Sequence, residues 1–297
     1  MMNSGFLLID KDASISSAQI DNKIKKIFNI KKVGHLGTLD PLATGLLIIG
    51  TLDSTRYFKY FTESRKTYIL SLRIGATTPS LDYETEFSEN AICNLLNQES
   101  LIDKLLEEFP KNYDQYPPIY SAVKVDGKPL YKYAYKEKEV EIKPRNVKIY
   151  NIKRINNIEY KDNNSFVSIL LDVSKGFYVR SFAKDFSKVL GFPGMSDGIR
   201  RIKVDDFSIE NAKKIDDINE TDFINPLSLL NFRRIDIEKK SVKYILNGAK
   251  YKFNTDIKDE YVIFRNDGTD LAIYKKIDDT NTYKMDLLIR NESNIHQ

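Results

Sequence analysis

Apolar residues at every second position constrain most strongly what this chain can fold into. Residues 66–74 place Tyr68 and three aliphatic side chains on one face, and residues 167–173 repeat the pattern with Val, Ile, Leu and Val. A period of two is typical of strands that bury one face. The sequence therefore predicts at least two amphipathic strands, about one hundred residues apart, that line a common core.

Three other segments have helical spacing. Residues 16–29 carry serine caps and four apolar residues three or four positions apart, and lysines occupy the other face. Residues 100–109 predict a helix with a Ser100/Asp103 capping box and Leu101 among its inward residues. After Gly176, a third helix is predicted with Phe182, Phe186, Val189 and Leu190 on one face and Gly191 past its end.

A loop is predicted at residues 34–41, because two glycines and Pro41 interrupt the pattern before a buried strand at residues 46–49. Asp40 on this loop is in a typical place for function. The local pattern equally fits a plain turn, since Asp and Pro are favoured turn residues. Both interpretations stay open on these residues alone.

Arg180 falls at a strand-to-helix junction, where the helix dipole disfavours a cation. Either a negative group offsets this charge or the guanidinium is simply exposed to water.

The pattern changes near Ile235. A short capped helix at 241–248 and strands at 261–265, 271–274 and 285–289 are predicted, and Asp267-Gly268 is a hairpin signal. This indicates a small β-rich C-terminal domain.

Composition narrows the chemistry. Cys93 is the one cysteine, and His35 and His296 are the two histidines, which excludes a disulfide framework and disfavours a Cys/His metal cluster. Catalysis would have to use carboxylates, tyrosines, arginines or lysines. The N-terminus lacks an export pattern, and the longest apolar run, residues 45–50, is far below the ~20 residues of a membrane span. We expect a soluble intracellular protein.

Positive charge is concentrated in residues 124–154, which we call the basic segment. It holds ten basic and four acidic residues, and ten minus four gives +6, against +4 for the whole chain. Tyr131, Tyr133 and Tyr135 stand among these cations, which suits phosphate contact and base stacking. An ordinary solvated surface is the alternative.

Residues 32–47, KVGHLGTLDPLATGLL, closely resemble the signature of the bacterial tRNA pseudouridine synthase B family. Six further blocks of the chain resemble the family and occur in the family's order. They are 5–11, 66–68, 118–124, 128–131, 175–181 and 199–201. The resemblance covers most of the chain. Two departures concern loop shape: Asp12 stands where the family usually has proline, and residues 78–84 lack the glycine that often ends that stretch.

The resemblance implies an α+β fold with a mixed, mainly antiparallel sheet of the pseudouridine-synthase type, flanked by helices. It implies a catalytic domain at 1–232, in which the basic segment contacts RNA, and a PUA-like RNA-binding domain at 233–297. It also assigns residue roles. These are Asp40, Tyr68 and Arg180 for catalysis, with Arg180 paired to Asp40; His35, Tyr178, Ile199 and Lys11 for substrate binding; and Lys124, Lys128, Lys132 and Arg145 for RNA binding.

The function implied is isomerisation of uridine 55 in the T-loop of tRNA to pseudouridine, by a cytoplasmic monomer without cofactor or metal and without membrane contact. Such a reaction needs an ionised carboxylate in a shielded site, and an arginine beside it favours that form. Asp40 can attack C1′, attack C6 or begin a glycal route, and the sequence leaves these open. Two other functions stay open: a synthase for another RNA, and an RNA-binding or RNA-folding protein.

Overall fold

The computed structural model describes residues 4–61, 65–136, 138–255, 257–278 and 280–290. Glu137 of the basic segment and the last seven residues of the predicted 233–297 domain lie outside them. The chain forms two compact units. The larger contains Leu7–Ile49 and Phe61–Asp222, and the smaller contains Met1–Phe6, Gly50–Tyr60 and Phe223–Gln297.

Helices of the larger unit include the three predicted ones. Helix α1 has a complete capping box, because Ser16 Oγ accepts from Gln19 N at 3.2 Å and Gln19 Oε1 accepts from Ser16 N at 2.8 Å. The helices are α1 Ser17–Ile27, α2 Glu99–Glu108, α3 Tyr131–Ala134 and α4 Val179–Val189.

The strands that lie wholly or mainly in the larger unit include both predicted alternating segments. They are β1 Phe6–Lys11, β2 Val33–Leu36, β3 Thr44–Thr51, β4 Lys66–Ile74, β5 Ala76–Thr77, β6 Glu89–Asn90, β7 Asn112–Gln115, β8 Lys124–Val125, β9 Lys128–Pro129, β10 Arg145–Arg154, β11 Glu159–Lys161, β12 Asn164–Val173, β13 Gly194–Val204 and β14 Phe207–Ser208.

One mixed sheet organises this unit. Within the described residues it has ten strands, in the order β1-β3-β13-β4-β12-β10-β7, with β2 on β3, β11 on β12 and β14 on β13. Strand β13 is parallel to β3 and antiparallel to β4, and β12 is antiparallel to β4 and β10. The predicted mixed, mainly antiparallel sheet is confirmed. Tyr68 on β4 lies between Arg201 on β13 and Leu171 on β12.

The core lies on the face of β4 that carries Leu70, Leu72 and Ile74, all at most 1% exposed. Helix α4 contributes Phe182 and Phe186, whose rings stack with centroids 5.7 Å apart. This helix follows β12, and its aromatic residues pack into the core along one side.

Three local predictions about β2 and α2 are wrong. Residues 34–36 belong to β2, because their backbone pairs with β3 before the loop begins. Helix α2 starts at Glu99 without a side-chain cap, so Ser100 lies inside the helix, and Asp103 pairs with Arg154 at 2.8 Å. Ile102 is buried and Leu101 is 40% exposed, so Leu101 does not face the core.

Helix α4 is misjudged only at its end. Val189, predicted to face inward, is 55% exposed, because the apolar face narrows at the last turn. Gly191 follows the helix with φ +79°, as predicted for a left-handed C-terminal position.

The smaller unit contains the predicted β-rich region. Its elements are β15 Arg233–Asp236, α5 Lys239–Leu246, β16 Tyr251–Lys252, β17 Tyr261–Asn266, β18 Thr269–Lys276 and β19 Thr282–Leu288. Five strands of the described part form one sheet, β15-β17-β18-β19-β16. Asp267 and Gly268 both have positive φ, 46° and 75°, as a type I′ hairpin requires. No helix in the described ranges is long and apolar enough to cross a membrane.

Candidate active site

Asp40 lies on the loop that joins β2 to β3, residues 37–43, which we call the Asp40 loop. Its Oδ2 is 2.9 Å from Nε of Arg180, the second residue of α4. The arginine side chain is 3% exposed and the aspartate side chain 41%. A carboxylate that is open to a ligand is thus fixed by a guanidinium that is not. The structure brings these two predicted residues into contact.

Arg180 contacts four acceptor groups. Besides Asp40, its Nη1 donates to Ser80 O at 2.7 Å and lies 3.4 Å from Asp82 Oδ2, and its Nη2 donates to Tyr120 O at 2.8 Å. Asp82 is itself buried, with 8% of its side chain exposed. Two carboxylates and two carbonyls therefore offset the cost of a buried cation in the first turn of a helix.

Lys11 is hydrogen-bonded to the C-terminal side of the Asp40 loop. Its side chain is fully buried, and its ammonium donates to the carbonyl oxygens of Asp12 at 2.9 Å, Ile15 at 2.7 Å and Pro41 at 3.1 Å. Burial lowers the pKa of Lys11 to about 8, and the negative charge of Asp40 opposes this shift. The predicted substrate-binding lysine is thus engaged with the backbone.

Arg201 supports the other end of the loop. Its Nη2 donates to Gly37 O at 2.9 Å and its Nε to Leu46 O at 2.8 Å, and the residue is fully buried. Gly45 must be glycine at this crossing, because it has φ +101° and a Cβ would lie 2.2 Å from Arg201 O. Ser17 adds a third support through its hydroxyl, which bonds both N and O of Leu39 at 3.0 Å.

A cavity of about 110 Å³ opens beside Asp40. Five of the residues singled out from the sequence meet here, and among them Tyr68 is 8% exposed. Burial raises the pKa of the Tyr178 hydroxyl, so that hydroxyl stays protonated near neutral pH. The cavity is lined by Thr38, Leu39, Asp40, Ala43, Tyr68, Phe177, Tyr178, Val179, Arg180 and Ile199.

His35 takes a different position, on β2. Its Nδ1 is 2.8 Å from Asp21 Oδ2 on α1, and its Nε2 is 3.1 Å from Thr38 Oγ1. The ring therefore joins the first helix to the Asp40 loop, close to the cavity wall formed by Thr38.

The basic segment is exposed. Lys124, Lys128, Lys132 and Arg145 all have exposed side chains, and Arg145 is near enough to Tyr178 for its charge to lower the pKa of that phenol, against burial. A cavity of about 520 Å³ is lined, as far as the described residues show, by cationic and aromatic side chains. These are Lys128, Lys132, Tyr133, Tyr135, Lys136 and Lys138.

Sequence reasoning gave no role to Asp82 or Arg201. Asp82 stands in the 78–84 stretch and Arg201 in the 199–201 block, so both blocks held the signal. Their roles are visible only in space, because each acts on a residue about one hundred or more positions away.

Solved structures share the fold of this chain. The chain matches "Crystal Structure of a Cbf5-Nop10-Gar1 Complex" with TM-score 0.67 and 20% identity, over 97% of this chain and 85% of that one. It matches "Structure of H/ACA RNP bound to a substrate RNA containing 2'-deoxyuridine" with TM-score 0.67 and 18% identity, over 98% and 87%. Each match extends over nearly the whole chain and shows a common fold, which includes the PUA-like β-rich C-terminal domain.

Sequence comparison is more specific. A model of the N-terminal domain of the TruB family of pseudouridylate synthases matches residues 25–179. The tRNA pseudouridine synthase B of Mycoplasma mycoides is 35% identical over 96% of this chain and 97% of its own length, and that of Staphylococcus aureus is 34% identical over 92% and 94%. The chain belongs to the TruB family of pseudouridylate synthases, as its signature predicts.

Proposed function

We propose that this protein converts uridine 55 in the T-loop of tRNA to pseudouridine, acting in the cytoplasm as a monomer. The Asp40–Arg180 ion pair at the wall of a cavity that also holds Tyr68, Tyr178 and Ile199 carries this proposal. Relatives named tRNA pseudouridine synthase B, aligned over nearly the whole chain, support tRNA as the substrate. In this proposal residues 1–232 hold the catalytic machinery, and residues 233–297 bind RNA.

The reaction needs a nucleophile or base that is already ionised and oriented. Arg180 engages Oδ2 of Asp40, which leaves Oδ1 available to the ribose or the base. The N1–C1′ bond breaks, the uracil turns within the cavity and a C5–C1′ bond forms. C5 then loses its proton and N1 takes one up, so the product is an isomer of the substrate. Electrons balance without an oxidant or reductant. Attack on C1′, attack on C6 and the glycal route all employ the same carboxylate.

Tyr68 and Tyr178 provide the surroundings that this step requires. An aromatic ring offers a stacking face for uracil, and a low-dielectric wall strengthens each interaction with developing charge. Because Arg180 and its four acceptors are fixed before substrate arrives, little reorganisation is needed during the reaction.

RNA binding must offset the cost of turning the target base out of the loop, on the order of a few kcal/mol. The exposed lysines and tyrosines of the basic segment suit this task, since phosphate contacts and stacking on aromatic rings act on any sequence. Recognition then depends on the shape of the T-loop more than on base edges in a groove.

The test is an in vitro reaction with unmodified tRNA, followed by chemical mapping of pseudouridine. We expect modification at position 55, and none in a transcript with cytidine at that position. Asp40→Asn should abolish modification while tRNA binding survives, whereas Asp216→Asn, the same change at an exposed site, should behave as wild type.

The outcomes separate the candidate functions. Absence of modification in tRNA together with modification of another RNA would mean a synthase of different specificity. Binding without modification of any RNA would favour an RNA-binding or RNA-folding protein, a role that the cationic and aromatic cavity of the basic segment also suits. Full activity of Asp40→Asn would refute the role of Asp40.

A further inference from the structure

A second cavity, of about 220 Å³, lies next to the catalytic one. The two share Asp40, Ala43 and Ile199 as a common wall. The second is twice as large as the cavity proposed for uracil, and it far exceeds the ~30 Å³ that one water occupies in the liquid. It therefore has room for a second planar ring beside the target base.

The far wall of this cavity is built around Asp197. Its Oδ1 accepts from the Tyr83 hydroxyl at 2.7 Å and its Oδ2 from Ser71 Oγ at 3.0 Å. Arg73 is 8% exposed, and its Nη1 donates to Tyr83 Oη at 3.1 Å. The carboxylate is thus held in one orientation by neutral hydroxyls, and in the described part of the chain no cation forms an ion pair with it.

The Asp197 carboxylate can only accept hydrogen bonds. An ionised carboxylate has about four lone-pair sites and no donor, and the two hydroxyls occupy two of them. The other carboxylates that line the cavity, Asp40 and Asp82, are both paired with Arg180. In the proposed reaction the free Oδ1 of Asp40 is committed to the target nucleotide, and Oδ1 of Asp82 accepts from Glu84 N at 3.0 Å. Asp197 is therefore the carboxylate with acceptor capacity left for a second base.

Gly198 indicates that the open space of the second cavity accommodates a ligand. Its backbone does not have positive φ, and a Cβ would meet only Ser71 Cβ, at an ordinary contact distance of 3.7 Å. Neither the backbone nor the packing demands glycine there. With Ala13 and Ala43, it leaves the cavity wall flat enough for a base, while the ring of Tyr83, 45% exposed, can stack from the side.

We propose that this cavity is a second base-binding pocket, which takes a nucleobase with an exocyclic amino group from the nucleotide next to the target uridine. The inference rests on the proposed function. A carboxylate accepts well from the amino group of cytosine, whereas uracil would place a carbonyl oxygen against it. A phosphate is excluded by the same charge.

The experiment uses T-arm hairpins that differ only at the nucleotide 5′ or 3′ to the target. Cytidine is compared with uridine and with pyrimidin-2-one riboside, which differs from cytidine by loss of the 4-amino group. At one neighbouring position we expect kcat/KM to fall roughly tenfold or more when the amino group is removed, as for the removal of one hydrogen bond to a base edge.

Variants test whether Asp197 reads that group. Asp197→Asn, which offers a donor as well as an acceptor, should reduce the cytidine preference to near one, and Gly198→Leu should slow all hairpins by filling the pocket. Asp216→Asn should keep the wild-type preference.

The two proposals fail in distinguishable ways. If wild type modifies no tRNA uridine, the proposed function fails. If it modifies uridine 55 but shows equal kcat/KM with and without the neighbouring amino group, or if Asp197→Asn retains the full preference, the second pocket alone is refuted.

Discussion

Two regions of the larger unit use positive charge in opposite ways. Under the Asp40 loop, Lys11, Arg180 and Arg201 are at most 2% exposed and are bound to carbonyls and carboxylates of their own chain. In the basic segment, lysines such as Lys128 and Lys132 are exposed and line an open cavity. The buried cations fix geometry before RNA arrives, whereas the exposed ones are available to RNA phosphates.

We therefore expect that removal of a buried cation changes the chemical step, while removal of an exposed one changes binding and its salt dependence. Surface charges are screened within about 8 to 10 Å at physiological salt, and buried pairs much less.

The largest effect is expected for Arg180→Lys. An ammonium cannot reach Asp40, Ser80, Asp82 and Tyr120 together, so kcat should fall by roughly 10²- to 10³-fold, as when one preorganised donor is removed. Single-turnover kinetics with saturating enzyme measures this. Near-normal turnover would show that the ion pair does not control the reaction.

A matched change at an exposed pair serves as the control. Arg265 forms a bidentate contact with Asp236 at 2.8 and 2.7 Å on the surface of the smaller unit. Arg265→Lys should leave kcat within twofold, because exposed pairs contribute little, roughly 0 to 1 kcal/mol.

An intermediate effect is expected on stability against pH. The pKa of Lys11 is lowered from 10.5 to about 8 in the folded protein. Between these values the unfolded chain binds more protons, so stability rises with pH. The free energy of unfolding of wild type relative to Lys11→Met should increase by about 3 kcal/mol from pH 8 to 10.5.

Urea titrations at several pH values measure that difference. Lys104→Met, which removes a lysine side chain that is 69% exposed, should give a difference that does not change with pH. Parallel curves for wild type and Lys11→Met would mean that Lys11 titrates normally.

The smallest effect on the chemistry is expected in the basic segment. Lys128→Ala combined with Lys132→Ala should raise KM for tRNA and leave kcat unchanged. It should also reduce the slope of log binding constant against log salt by about 1 for each phosphate that the protein no longer neutralises. Lys104→Ala is the control. A fall in kcat at saturating tRNA would erase the distinction between the two regions.

Local patterns predicted much of the fold. The alternation at 66–74 predicted β4 to the residue, since one face of the strand is buried, and the serine caps predicted the start of α1. Leu101 was misjudged because the helical spacing of residues 100–109 does not show which apolar residues face the core, and in the structure Ile102 and Leu106 do so.

Some residues of the site were predicted from the sequence, and others were visible only in the structure. The resemblance named Asp40, Tyr68 and Arg180, and the fold brings them together at one cavity. Neither pattern nor motif indicated that Lys11 and Arg201 support opposite ends of the Asp40 loop, or that Asp197 faces a second cavity. Lys11 reaches the loop through a contact between segments 30 positions apart, and the positions of Arg201 and Asp197 depend on the register of β13 against β3 and β4.

The hydrogen bond from Arg201 to Gly37 joins residues that are 164 positions apart, and this affects the order in which the protein folds. Contacts between such distant segments form slowly, since a long loop must close first. A nascent chain that has emerged only as far as α4 already contains Asp40, Tyr68 and Arg180, yet it lacks β13, the strand between β3 and β4. Catalytic activity during refolding should therefore return only with β13 pairing, which makes turnover a reporter of completed folding.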